Sequence, residues 1–218
     1  MSENLKVTHY RDGSEVDYVP GQLNEYGSTY LFFGYSSQAA YSYYGNDINL
    51  QAIHGNIYSW YAVVDERGLC PEGWHVPTDE EWKILEISLG MCQGSIGDEN
   101  SFTNGGIGCV DNFGERGTNE GSKLAANSEL WLEGELKDDS EIGVSGFLAQ
   151  PSGSYNSVES LYGGLGYYAK FWTSTSFDWD NMHDLDKIHR KIFFERSTIN
   201  RSFYYLNDAH SVRCISDE

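Results

Sequence analysis

The chain has 218 residues and a formal net charge of -19, with 14 Lys and Arg against 33 Asp and Glu. Nucleic-acid partners draw on clustered basic side chains, so this balance argues against DNA and RNA, and no apolar run approaches the roughly 18 to 20 residues that span a bilayer. With 39% hydrophobic and 15% aromatic residues, 24 Gly and 16 Tyr, the composition is that of a folded, loop-rich protein with one sizeable core.

The clearest local signal along the chain lies between Gly68 and Trp82. Pro71, Gly73 and Pro77 forbid regular structure there, and Thr78 with Glu81 forms a capping box, so a helix is expected from Asp79. Trp82, Leu85 and Leu89 recur at helical spacing on a packing face, Glu80 and Lys83 fall on the wet side, and Gly90 is a natural left-handed stop.

Taken with Gly68-Leu69-Cys70-Pro71-Glu72-Gly73-Trp74-His75-Val76-Pro77-Thr78-Asp79-Glu80-Glu81-Trp82 and the closing Ser211-Val212-Arg213-Cys214, four further stretches complete a pattern. These are His54 to Val63, Gly121-Ser122-Lys123-Leu124, Ser145 to Gly153, and Phe171-Trp172-Thr173-Ser174-Thr175. In this order they resemble the Fibrobacter succinogenes major paralogous domain, a family of secreted bacterial modules, across nearly the whole chain. The resemblance implies an α+β, C-type-lectin-like fold of the sulfatase-modifier subtype. It would have a small twisted antiparallel sheet, about two helices and extensive ordered loops, as a single domain over residues 1–218. Asn4-Leu5 then aligns with the end of the family's first strand, so an upstream strand and signal peptide are expected beyond Met1. Secretion or cell-surface display is the implied localisation.

Four cysteines allow three pairings. Cys70 with Cys214 is the first expectation, closing a loop worth roughly 4 to 5 kcal/mol in the chain-entropy model, with Cys92 and Cys109 as a smaller staple; free buried thiols in a reducing compartment are the alternative. The six histidines show no HxxxH or HExxH spacing, and His75 reads as a structural hydrogen-bonder. No cofactor is specified, calcium being the one the composition admits. Its weak candidate ligands are Asp178, Asp180, Asn181, Asp184 and Asp186, in a segment that lacks the glycine and distant glutamate of an EF-hand loop.

No catalytic residues are assigned. The sulfatase-modifier resemblance lies in the scaffold, and no nucleophile elbow is present. The family-like alignment from Cys214 backward places Arg190 and Arg201 on recurring arginines of the closing strands. Around them Phe177, Trp179, His189, Arg196, Asn200, Arg201, Tyr204 and Asn207 combine aromatic area with directional donors, a mixture suited to recognition. Trp172 is expected in the core. The functional expectation is a non-catalytic extracellular recognition or adhesion module with a carbohydrate or protein ligand. The alternatives are a variable binding protein of the diversity-generating-retroelement type, an enzyme on the same scaffold, and a structural surface domain.

Overall fold

A helix runs from Asp79 to Ser88 in the computed structural model of the chain, which describes residues 1–20, 22–23, 29–30, 38–96, 102–156, 161–177, 186–204 and 208–217. The Thr78 hydroxyl accepts from the Glu81 amide at 3.2 Å and Glu81 Oε2 accepts from the Thr78 amide at 2.7 Å, so the capping box forms as the sequence predicts. Asp79, Glu80 and Glu81 place negative charge in the first turn, where the helix dipole favours it. The helix gives way at Leu89, and Gly90 adopts φ 117°, a backbone angle that a side chain would strain.

The helix buries Asp79, Trp82 and Glu86, two carboxylates and an indole, while Leu85 and Leu89 pack only at the margin. Its inward stripe is thus more polar than the apolar periodicity predicts. The reason lies in the sheet beneath it.

Among the described residues that sheet has eleven strands. Its longest, Tyr168–Phe177, runs antiparallel to Asp186–Phe193, which pairs in turn with Ile199–Tyr204, then Phe113–Arg116, then Phe102–Gly108 in parallel. On its other side the long strand meets Ser152–Asn156 and Ala209–Ser211, both in parallel. The expected small antiparallel sheet is therefore corrected to a large mixed one. Strands such as Ser152–Asn156 carry Gly and Ser without apolar alternation and are held by their neighbours more than by propensity. The fold is α+β, with five α-helices among the described residues, of which only Asp79–Ser88 exceeds seven residues.

Successive side chains of the long strand enter different cores. Phe171 packs with Trp82, Leu124, Trp131, Ile192 and Ile199 under the helix, whereas Trp172 packs with Leu5, Tyr58 and Val212 and donates to the Tyr58 carbonyl at 2.8 Å. Trp172 is core, as expected. A Cβ on Gly121 would lie 2.1 Å from the Thr198 carbonyl, so the helix Glu120–Leu124 can rest on that turn only with glycine there.

Between helix and sheet lies a buried ionic lattice. Asp79 Oδ1 accepts from Arg190 at 2.6 Å and from Arg201 Nε at 3.0 Å, and its Oδ2 accepts from Arg201 Nη2 at 2.6 Å. Glu86 Oε1 accepts from Arg190 Nε and from Arg116 Nη2, each at 2.7 Å. Arg116 and Arg201 also donate to the carbonyls of Val110 and Asp111. Burial opposes ionisation of Asp79, but Arg190 and then Arg201 outweigh it and hold the carboxyl below its usual range.

Both expected disulfides are present, Cys70–Cys214 at a sequence separation of 144 and Cys92–Cys109 at 17. The chain-entropy model assigns roughly 5 kcal/mol to the first and roughly 3 to the second. Replacing Cys70 and Cys214 by Ser should therefore lower the urea unfolding free energy more than replacing Cys92 and Cys109, by about 2 kcal/mol; an equal or reversed order would contradict that model here. Asp79→Asn, which leaves two buried guanidinium groups short of their counter-charge, should cost about 3 to 5 kcal/mol in the same assay. A loss below about 1 kcal/mol would mean that the lattice is dispensable.

Candidate functional site

The central strands present two unlike faces. One carries Phe171, Arg190, Ile192, Ile199 and Arg201 toward the core under the helix and its ions. On the other, Tyr168, Lys170 and Trp172 stand opposite Phe193, Lys191 and His189, which continue to Asn200 and Ser202 and, from Asn200, to Glu115. This second face is polar and aromatic.

Toward the middle of the sheet the face is closed. Trp172 is 1% exposed, His189 1% and His210 0%, and the His210 ring lies 4.0 Å from that of Trp172 and 5.0 Å from that of His189. Burial, reinforced by Lys170, drives both imidazoles well below their ordinary pKa, so both are neutral at pH 7. Burial also brings the Lys170 ammonium down to about 8, against the pull of Asp208.

Toward the turn at residues 194–198 the face opens: Tyr168, Lys191, Phe193 and Asn200 are half-buried and Arg196 is exposed. Lys191 Nζ lies 5.0 Å from the Tyr168 ring centroid and 4.7 Å from that of Phe193, and Lys170 Nζ lies 5.5 Å from Tyr168. These are cation–π distances, which fix the ammonium groups against the rings. Asn200 Nδ2 donates to Glu115 Oε1 at 3.1 Å, and Glu115 Oε2 accepts from the Thr198 hydroxyl at 2.6 Å. That leaves the Asn200 amide oxygen unengaged among the described residues. Such an array combines half-buried rings, a fixed ammonium and an oriented amide on one surface.

Of the residues expected on a ligand surface, the structure brings Arg196 and Asn200 together at this open end. His189 and Arg201 require correction: both are buried, His189 against Trp172 and Arg201 in the ionic lattice, because strand alternation turns them to the closed part of one face and to the inner face. Phe177 joins Phe113 and Phe203 in an aromatic group with centroids 5.0 to 5.9 Å apart. Tyr204 is described only as strand backbone opposite Lys187. Trp179 and Asn207, with the calcium candidates Asp178, Asp180, Asn181 and Asp184, lie outside the described residues, while Asp186 pairs with Phe177 in the ladder. Among the described residues no group of three or more His, Cys, Asp and Glu is arranged to hold a metal. Sequence reasoning missed Tyr168, Lys170 and Lys191. The signal was available: stepping back by two from Trp172 reaches Lys170 and Tyr168.

His75 is structural. It bridges Asp217 at 2.6 Å and Glu81 at 2.8 Å, tying the capping box to the chain's last strand, Ile215–Ser216, which pairs with Trp74–His75.

The mixed sheet, its two disulfides and the order of the six sequence stretches together define a disulfide-linked α+β module. Residues 1–216 match the Fibrobacter succinogenes major domain, and the chain belongs to that family. No curated protein and no solved structure matches it. No described helix is long and apolar enough to cross a membrane.

The hydrogen bond to Asp217, opposed by partial burial and aided by Glu81, raises the His75 pKa. A raised imidazole contributes stability fully below its unfolded value of about 6.5 and loses it as pH climbs through the folded value. The stability difference between the wild type and His75→Gln should therefore be larger at pH 6 than at pH 9 in urea titrations. A difference that is constant or grows with pH would contradict the bridge.

Proposed function

We propose that this chain is an extracellular, non-catalytic recognition module of C-type-lectin-like architecture, and that its ligand, a carbohydrate or an acidic protein segment, is met at the open end of the polar sheet face. The single observation that carries this reading is the array of Tyr168, Lys191, Phe193, Asn200 and Glu115, with the exposed Arg196 in the adjoining turn, in which the Lys191 ammonium is held against two rings and the Asn200 amide is held by Glu115. Its backbone lies on strands whose other face is anchored by the ionic lattice. Preorganised side chains on rigid strands lose little entropy on binding, and aromatic rings with planar polar partners suit sugar rings and protein surfaces alike. Two closed disulfides suit an oxidising compartment and support secretion or surface display.

A glycan array probed with the oxidised protein, with and without calcium, tests the reading. Specific binding is expected, weakened at least about tenfold, or about 1.4 kcal/mol, by Tyr168→Ala and by Asn200→Ala. Ile84→Ala, on the exposed side of the helix, should leave it unchanged. Binding untouched by both face variants would place recognition elsewhere, and an empty array followed by no capture of acidic peptides would overturn the proposal.

A further inference from the structure

The open end of the polar face continues round the end of the sheet as a chain of ring contacts. Lys191 Nζ lies 4.7 Å from the Phe193 centroid, Phe193 lies 4.9 Å from Phe194, and Phe194 lies 5.4 Å from Tyr167. Leu132 follows, its amide donating at 3.1 Å to the carbonyl of Gly166, the neighbour of Tyr167. Tyr167 is 48% exposed and Leu132 40%, so the contacts end in apolar surface that faces water. The backbone beneath is pinned. Phe194 donates to the Tyr167 carbonyl at 2.9 Å, its own carbonyl accepts from Leu136 at 3.1 Å, and the Arg196 amide closes the turn onto the Phe193 carbonyl at 3.1 Å.

The cations beside this surface are unmatched. Among the described residues neither Lys191, half-buried, nor Arg196, exposed, is held in an ion pair. Glu115 attracts Lys191, but its two carboxylate oxygens already accept from Asn200 and from the Thr198 hydroxyl, and the charge of Arg196 is close enough to repel Lys191. In a chain with 33 acids to 14 Lys and Arg, two neighbouring cations without a carboxylate mark a place for an anion from another molecule.

The neighbouring ring decides between ligand classes. Tyr168 is pressed against Gly164, where a Cβ would lie 2.0 Å from it, and Lys170 and Lys191 lie 5.5 and 5.0 Å from its centroid, so it offers no free face on which a sugar could stack. Exposed apolar surface rimmed by charged groups, with aromatic and Arg side chains, suits a protein partner instead. We propose that the recognition role above, on which this step rests, is directed at an extended segment of a partner protein in which a carboxylate side chain neighbours a bulky apolar one. The carboxylate meets Lys191 and Arg196, and the apolar side chain covers Tyr167 and Leu132. That cover excludes water from the ion pair and strengthens it, and the pinned turn loses little freedom on binding.

The probes are fluorescein-labelled nonapeptides of Gly and Ser with a central Glu and a Phe two residues before or after it, a spacing that puts both side chains on one face of an extended chain. Titrated by fluorescence polarisation with the oxidised protein, at least one should bind saturably, and Gln for Glu or Ser for Phe should each weaken it at least tenfold. Arg196→Glu and Tyr167→Ser, at exposed positions, should each weaken it by a similar factor with unchanged urea midpoints, and Ile84→Ala should leave it as it is. Absence of saturable peptide binding, equal binding of the Glu and Gln peptides, or binding untouched by Arg196→Glu and Tyr167→Ser would overturn the proposal. Where the glycan array gives binding that Tyr168→Ala removes while the peptides give none, this choice of ligand falls and the recognition role stands; silence from both removes both.

Discussion

Arg190 and Arg201 are direct cross-strand partners in the sheet, and two like charges in that position repel. The fold resolves this by lowering Asp79 between them from the first turn of the helix, so that one carboxylate accepts from both guanidinium groups. Glu86, two turns further along the same stripe, repeats the arrangement for Arg190 and Arg116. Three neighbouring strands and one helix are therefore tied at two points. A hydrophobic contact between helix and sheet would tolerate sliding, but this contact does not. A one-residue slip of the strand Ile199–Tyr204 would carry Arg201 to the opposite face and leave Asp79 half-paired in the interior. Three buried cations against two carboxylates, with carbonyls of Val110 and Asp111 absorbing the excess donors, form a lattice whose clearest product is register. Buried ion pairs are weak contributors to net stability relative to apolar packing.

Register on one face decides what the other face presents. Because Arg190 is fixed toward the helix, His189 and Lys191 are fixed on the opposite face, His189 in its closed part, and the same face takes Asn200 and Ser202 on either side of Arg201. The polar array inherits the precision of the lattice beneath it without sharing residues with it. Substitutions on the array face therefore leave the helix contact intact, whereas substitutions in the lattice would disturb both.

Features with a local signature were legible in the sequence. The capping box at Thr78 and Glu81, the stop at Gly90, the burial of Trp172 and the two disulfides all follow from short patterns, from cysteine arithmetic or from the family resemblance. The lattice was not legible. Apolar periodicity reads Trp82, Leu85 and Leu89 as the inward stripe and is blind to Asp79 and Glu86, since a buried carboxylate is recognisable only when its arginine is known, and Arg190 and Arg201 lie more than a hundred residues away along the chain, with Arg116 30 residues from Glu86. The same blindness put His189 and Arg201 on a ligand surface. The sheet was underestimated because its short Gly- and Ser-bearing strands carry no alternation, and their pairing comes from tertiary neighbours.

The burial of cations in and around the lattice also changes how the net charge should be read. Six of the 14 Lys and Arg residues, Arg116, Lys170, Lys187, Arg190, Arg201 and Arg213, are buried, whereas the buried acids among the described residues are Asp79, Glu86, Glu120 and Asp208 out of 33 acids in the chain. The surface is thus more acidic than the composition implies. Long-range steering would repel an anion approaching the polar face, so any anionic ligand must be selected by short-range contacts after close approach. Salt screens the long-range repulsion within about 8 to 10 Å but acts much less on a desolvated contact. Anion binding to this protein should consequently strengthen, or at least hold, as ionic strength rises, the opposite of binding at an exposed basic patch.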